Sequence, residues 1–223
     1  MIYLPTYPTH LFFFCETPPK QGGETPIVLS SVAYDKISAK LPQFVRELNE
    51  RGVRYTRTLP YEDDTESGVG RSWRYSFRTA NKCDVERICA KLYERVEWLD
   101  DNSLRTVSFK FPGTRVDERT GRRTWFNQIV PAFFTWFDAR NQKSKAVTFG
   151  DGGEFDPEEV AECYEILKEN SVEFKWQRGD VVLLDNMLIL HGRNTYQPPR
   201  RILAAIFDAG NDGVEKKNST TTN

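Results

Sequence analysis

The chain has 223 residues, enough to bury one sizeable core, and 39% hydrophobic against 28% charged residues is the balance of an ordinary globular protein. Its 31 basic and 32 acidic side chains leave a net charge of −1. That gives no positive excess with which to hold nucleic acid or an anionic membrane, so a small-molecule ligand is the default partner. Cys15, Cys83, Cys89 and Cys163 are scattered without CxxC spacing, which argues against a zinc knuckle or disulfide framework and fits a reducing, cytoplasmic setting. The apolar run from Leu11 to Cys15 is too short for an export signal or a membrane span.

In chain order, HLFFFC reads as a strand and is followed by the turn Gly22-Gly23-Glu24-Thr25-Pro26. Residues 33–52 carry Ile37, Leu41, Phe44, Val45 and Leu48 at helical spacing, with a break predicted at Pro42 and a stop at Gly52. GVRYTRTL is strand-like, and DVERICAKLYERV places Val85, Ile88, Cys89 and Leu92 on one helical stripe. LRTVSFKF and TWFNQIV read as strands, and DPEEVAECYEILKEN reads as a helix with Asp156 as N-cap and Pro157 in its first turn. Then VEFKWQ, DVVLLDN, MLILHGR and RRILAAIFDA follow in quick succession, which suggests one antiparallel set. Strands outnumber helices, so the expected class is mixed α/β, mainly β: a jelly roll with flanking helices over residues 1–209, and a polar tail over 210–223 too poor in apolar residues to order itself.

His10 and His191 are the two histidines, so a metal or base reading runs through one of them. His191 ends an apolar strand, the place where a barrel holds ligands in its mouth. Arg201 follows ten residues later behind Pro198 and Pro199, and its planar fork suits a carboxylate; of the adjacent Arg200 and Arg201, alternation sends one outward. Thr25 offers a hydroxyl beside two glycines. Trp125 and Asn127 read either as cavity lining or as core and edge, and Arg54 and Arg57 either as pocket residues or as a solvated strand face.

PPKQGGETPIVLS, GVRYTR, RTWFNQI and WQRGDVVLLDNMLILHGRNTYQPPRRILAAI together resemble the TauD/TfdA, clavaminate synthase-like dioxygenases, in particular the syringomycin biosynthesis-like branch. The resemblance implies a double-stranded β-helix, Fe(II) as metal and 2-oxoglutarate as cosubstrate, used to oxidise a small organic molecule, with hydroxylation the expected outcome. It assigns His191 as the distal iron ligand, Thr25 and Arg201 as the groups holding the far carboxylate of 2-oxoglutarate, and Trp125 and Asn127 as cavity lining. Sulfonate-cleaving relatives carry a further arginine where this chain has Ala204, so taurine is not the expected substrate. The same resemblance places the partner ligands, a His-x-Glu pair, immediately ahead of Met1. His10, followed at i+2 by Phe12, does not replace them. The expectation is therefore an oxygenase whose N-terminal ligands are missing from this chain, inactive as it stands; the alternative is a naturally truncated pseudoenzyme serving as a binding or interaction module.

Overall fold

A computed structural model describes residue 5 and residues 7–207. The expectations for the segment around Met1 and for the tail therefore fall outside the described residues. In chain order the elements are β1 (His10–Thr17), β2 (Gln21–Gly22), β3 (Ile27–Leu29), α1 (Ser30–Lys40), α2 (Pro42–Arg51), β4 (Val53–Leu59), α3 (Trp73–Phe77), α4 (Lys82–Leu92), β5 (Arg95–Trp98), β6 (Leu104–Val107), β7 (Thr114–Val116), β8 (Arg123–Trp125), α5 (Ile129–Thr135), β9 (Val147–Phe149), α6 (Pro157–Glu169), β10 (Val181–Asp185), β11 (Ile189–His191), β12 (Tyr196–Gln197) and β13 (Arg201–Phe207). No helix among the described residues is long and apolar enough to cross a membrane.

Local chemistry accounts for several boundaries. Pro42 cannot donate a backbone hydrogen bond, and it splits the predicted long helix into α1 and α2, standing at the start of the second. Gly52 ends α2 at φ +68°, with its N–H donating to the Leu48 carbonyl at 2.9 Å. Asp156 Oδ1 accepts from the Glu158 N–H at 2.8 Å at the head of α6. Two expected strands are corrected. TWFNQIV is extended only through Trp125, because the Asn127 side chain accepts from the Ile129 N–H at 3.0 Å and turns the chain into α5. VEFKWQ forms no strand and keeps a single bridge, Val172 to Ile27.

The chain divides into two compact units, one holding Lys40–Thr114 and Phe126–Tyr164, the other Tyr7–Ala39, Arg115–Trp125 and residues 165–207. The first is built on an antiparallel sheet in the order β5-β6-β4-β9. Leu59 and Leu104 face each other across β4 and β6 and bury themselves with Trp73, Val85 and Cys89 from α3 and α4. Fully burying side chains of this size contributes about 1.5–3 kcal/mol each.

The second unit centres on β1, flanked by β10 on one side and β13 on the other, with β11 paired to β3 and β12 to β2, all antiparallel. The late strands therefore do not pair with one another as expected; each returns to a strand near the start of the chain. Along β1 the odd positions Leu11 and Cys15 are buried, whereas Phe12 and Phe14 are exposed. The exposed side continues through their partners Leu183 and Val181 on β10.

Candidate active site

His191 closes β11 opposite Ile27 of β3, and its ring lies 5.5 Å from that of Phe13 on the odd, inward side of β1. His191 is an exposed residue at the strand end, and desolvation by the protein beside its ring lowers its pKa to about 4. It is therefore neutral at physiological pH and able to offer a nitrogen lone pair to a metal.

Thr25 is 5% exposed and follows the two-glycine turn. The Trp176 indole N–H donates to its Oγ1 at 3.1 Å. Because that bond fills an acceptor position, the hydroxyl proton is left to be donated, which is the polarity a carboxylate requires. The turn itself is drawn tight against the strand-and-loop segment that follows His191. The Gly23 N–H donates to Thr195 O at 3.0 Å, the Asn194 N–H to Glu24 O at 3.0 Å, and Gly22 pairs with Tyr196. Gly22 and Gly23 take φ values of +69° and +74°, and a Cβ on Gly22 would stand 2.2 Å from the Thr195 carbonyl oxygen. Only glycine fits there.

The two arginines separate. Arg200 Nε donates to Gly23 O at 3.2 Å, and its guanidinium lies 5.4 Å from the Tyr196 ring centre. It is also close enough to the buried Cys15 thiol to oppose the rise in thiol pKa caused by burial and by Asp180. Arg201 instead ion-pairs with Glu16 at 2.6 Å, about half exposed. By alternation it shares a face with Leu203, which opposes Phe14, while His191 packs on the Phe13 side. A register shift in β1 between Cys15 and Thr17 fixes this parity. The structure thus brings Arg200, rather than Arg201, to the turn that carries Thr25, and it does not bring Arg201 and His191 to one face.

The remaining candidates take structural places. Asn127 is buried, donates one amide N–H to Gly113 O at 2.7 Å and accepts from the Ile129 N–H, so its amide shapes the start of α5. Trp125 is 1% exposed, in the core. Arg54 ion-pairs with Glu94 at 2.5 Å. His10 shares a hydrogen bond with Thr9 Oγ1 through Nδ1 at 3.0 Å. Trp176 and Arg200 are the residues that sequence reasoning missed. The only signal for them was the second arginine of an adjacent pair and an indole N–H that needs a partner when buried.

A facial iron site needs three protein donors. His191 fits one of them, as a neutral imidazole at a strand end, and no group of three or more His, Cys, Asp or Glu side chains able to hold a metal occurs among the described residues. The turn offers Thr25 as a donor with the Arg200 guanidinium held beside it.

A family model described as taurine catabolism dioxygenase TauD, TfdA family matches residues 1–206. A clavaminate synthase-like protein of Arabidopsis thaliana is 45% identical over 200 residues, covering 90% of this chain and 61% of the relative. A dapdiamide synthesis protein of Enterobacter agglomerans is 29% identical over 212 residues, again with 90% and 61% covered. The chain thus spans about three-fifths of the length of these curated relatives. A crystal structure of a taurine dioxygenase from Burkholderia xenovorans aligns with a TM-score of 0.43 at 19% identity, covering 90% of this chain and 52% of that one; so distant a likeness adds no weight. What decides the matter is a family match running from the first residue through β13, and the chain belongs to the TauD/TfdA dioxygenase family, for which Fe(II) and 2-oxoglutarate are the metal and cosubstrate.

Proposed function

We propose that this chain carries the cosubstrate end of an Fe(II)- and 2-oxoglutarate-dependent oxygenase site, and that the protein hydroxylates a small organic molecule. The observation that carries this reading is Thr25: a buried hydroxyl that accepts from the Trp176 indole and has its proton to donate. His191 is the metal ligand within the chain, kept neutral by its surroundings. Bound Fe(II) would supply the oxidising chemistry, with 2-oxoglutarate and oxygen giving succinate and carbon dioxide while one oxygen atom enters the substrate.

The chain's own residues do the positioning. Arg200 holds the Gly23 carbonyl and so sets where Thr25 points. The resemblance gives the carboxylate clamp to Arg201, one residue on, and in that role its guanidinium must leave Glu16 and turn to the side of the strand where Arg200 already holds the Thr25 turn. We read the second unit as part of a double-stranded β-helix, since the sheet around β1 and the β11-β3 pair present Phe13 and His191 to each other.

Metal binding tests the reading. With one donor among the described residues, the chain is expected to bind Mn(II) weakly in a paramagnetic-resonance titration, to lose that binding in His191→Ala and to keep it in His10→Ala. Tight Mn(II) binding that survives His191→Ala contradicts the assignment.

A further inference from the structure

The first unit contains a cavity of about 390 Å³ that none of the chemistry above uses. That is within the size range of small-molecule sites, roughly 300–1,000 Å³. Its floor is the face of β4 and β6 on which Arg57 stands opposite Thr106, one step along the sheet from the buried Leu59–Leu104 pair. Its wall is Phe77 at the end of α3 and Ile88 and Leu92 on α4, and Trp136 lies just beyond α5. The cavity exists because α4 covers the Leu59–Leu104 level of the sheet and leaves the Arg57–Thr106 level open.

Its charge is one-sided. Arg57 and Arg78 both line it, no aspartate or glutamate does, and neither arginine forms an ion pair among the described residues. Arg57 donates from Nη2 to Val69 O at 3.0 Å and its Nη1 makes no hydrogen bond among the described residues, while its Nε is buried out of reach of the cavity. A guanidinium at a cavity wall with protons left to donate favours an acceptor in the space in front of it. The apolar wall is equally unfilled. A ligand that answers both deficits has an apolar body and one planar anionic group that can accept from a guanidinium fork.

We propose that this cavity is a binding site for a small organic carboxylate, its apolar body against Phe77, Ile88, Leu92 and Trp136 and its carboxylate received by Arg57. The site lies wholly in the first unit, so it stands or falls independently of the reading of His191 and Thr25. The test titrates the 223-residue chain with 3-phenylpropionate, its neutral amide and the corresponding amine, followed by ligand-observed NMR. The acid is expected to bind saturably and roughly tenfold or more tighter than the amide, with the amine weakest. Arg57→Gln should bring the acid down to the level of the amide, and Arg57→Lys should recover part of the loss. Arg105→Gln, on the opposite face of β6 and paired with Glu97, should change nothing. Ser76→Trp, at an exposed position on the cavity rim, should block all three ligands and decides the matter if Arg57→Gln does not fold. Equal affinity for acid and amide, equal losses from Arg57→Gln and Arg105→Gln, unimpaired binding in Ser76→Trp, or no saturable binding of the acid at millimolar concentration would each overturn the proposal.

Discussion

The indole N–H of Trp176 reaches the hydroxyl of Thr25 across 151 positions of sequence, at 3.1 Å and with both side chains buried. Trp176→Phe removes the donor and part of a buried ring system, so the expected stability loss in urea unfolding is that of one hydrogen bond, about 0.5–1.5 kcal/mol, plus the cost of the cavity left behind. Affinity for 2-oxoglutarate should also fall, since the Thr25 hydroxyl becomes free to rotate away. A Trp176→Phe chain with unchanged affinity would show that the indole bond does not orient the hydroxyl.

Gly22 and Gly121 share nearly the same φ, +69° and +68°, but an added Cβ meets the Thr195 carbonyl oxygen at 2.2 Å in the first and nothing within 4 Å in the second. Gly121→Ala should therefore cost only the strain of a left-handed alanine, about 1 kcal/mol. Gly22→Ala should cost clearly more and weaken 2-oxoglutarate binding, because the β2–β12 strap must part. Thermal unfolding of the two variants side by side gives the comparison, and equal losses would mean that the close approach at Gly22 is not maintained.

How much of this was legible in sequence differs by level. The apolar run of β1, the break at Pro42, the stop at Gly52 and the strand end at His191 follow from local chemistry, and all were readable. Partnership was not. A period of two tells which residues share a face, but not whether β10 pairs with β11 or, as found, with β1. The same limit governs the arginines. Adjacency fixes that Arg200 and Arg201 point apart, and which one turns toward Gly23 depends on the register shift beside Cys15, a property of the partner strand. Trp176 escaped notice because its partner is distant in sequence, and Asn127 misled because an amide that starts a helix looks the same in sequence as one that lines a pocket.

Asp138 gives the first unit an acid-sensitive joint. Burial alone would raise its pKa, but hydrogen bonds from Ser67, from the Arg140 backbone and side chain and from Asn141 lower it from 3.8 to about 2. Arg140 ties the same cluster to Asp64 at 2.7 Å. A depressed carboxylate contributes stability that is full above its unfolded pKa and is lost as pH falls through the folded value, so the loss is expected between about pH 4 and pH 2. Asp138→Asn should flatten the stability profile in that window and lower stability at neutral pH. A profile unchanged by the substitution would remove Asp138 as its source.

Arg200 and Arg201 carry the same charge and differ in what they touch, which separates geometry from general electrostatics. Arg200→Lys preserves the charge but not the Nε donor to Gly23, so it should weaken 2-oxoglutarate binding and loosen the turn, with amide exchange at Gly23 and Asn194 speeding up. Glu16→Gln frees Arg201 from its ion pair and should strengthen binding slightly or leave it unchanged. If Glu16→Gln weakens binding as much as Arg200→Lys does, the carboxylate clamp has been misassigned.

In the proposed site Thr25 and Arg201 hold the far carboxylate of 2-oxoglutarate and His191 serves the metal. Calorimetric titration of 2-oxoglutarate into the 223-residue chain, without metal and then with Mn(II) under anaerobic conditions, reads both parts at once. Thr25→Val and Arg201→Ala should weaken binding in both conditions, the arginine by roughly 10- to 100-fold, whereas His191→Ala should abolish only the gain produced by Mn(II). Binding that is indifferent to both Thr25→Val and Arg201→Ala, or a Mn(II) gain that survives His191→Ala, would contradict the account.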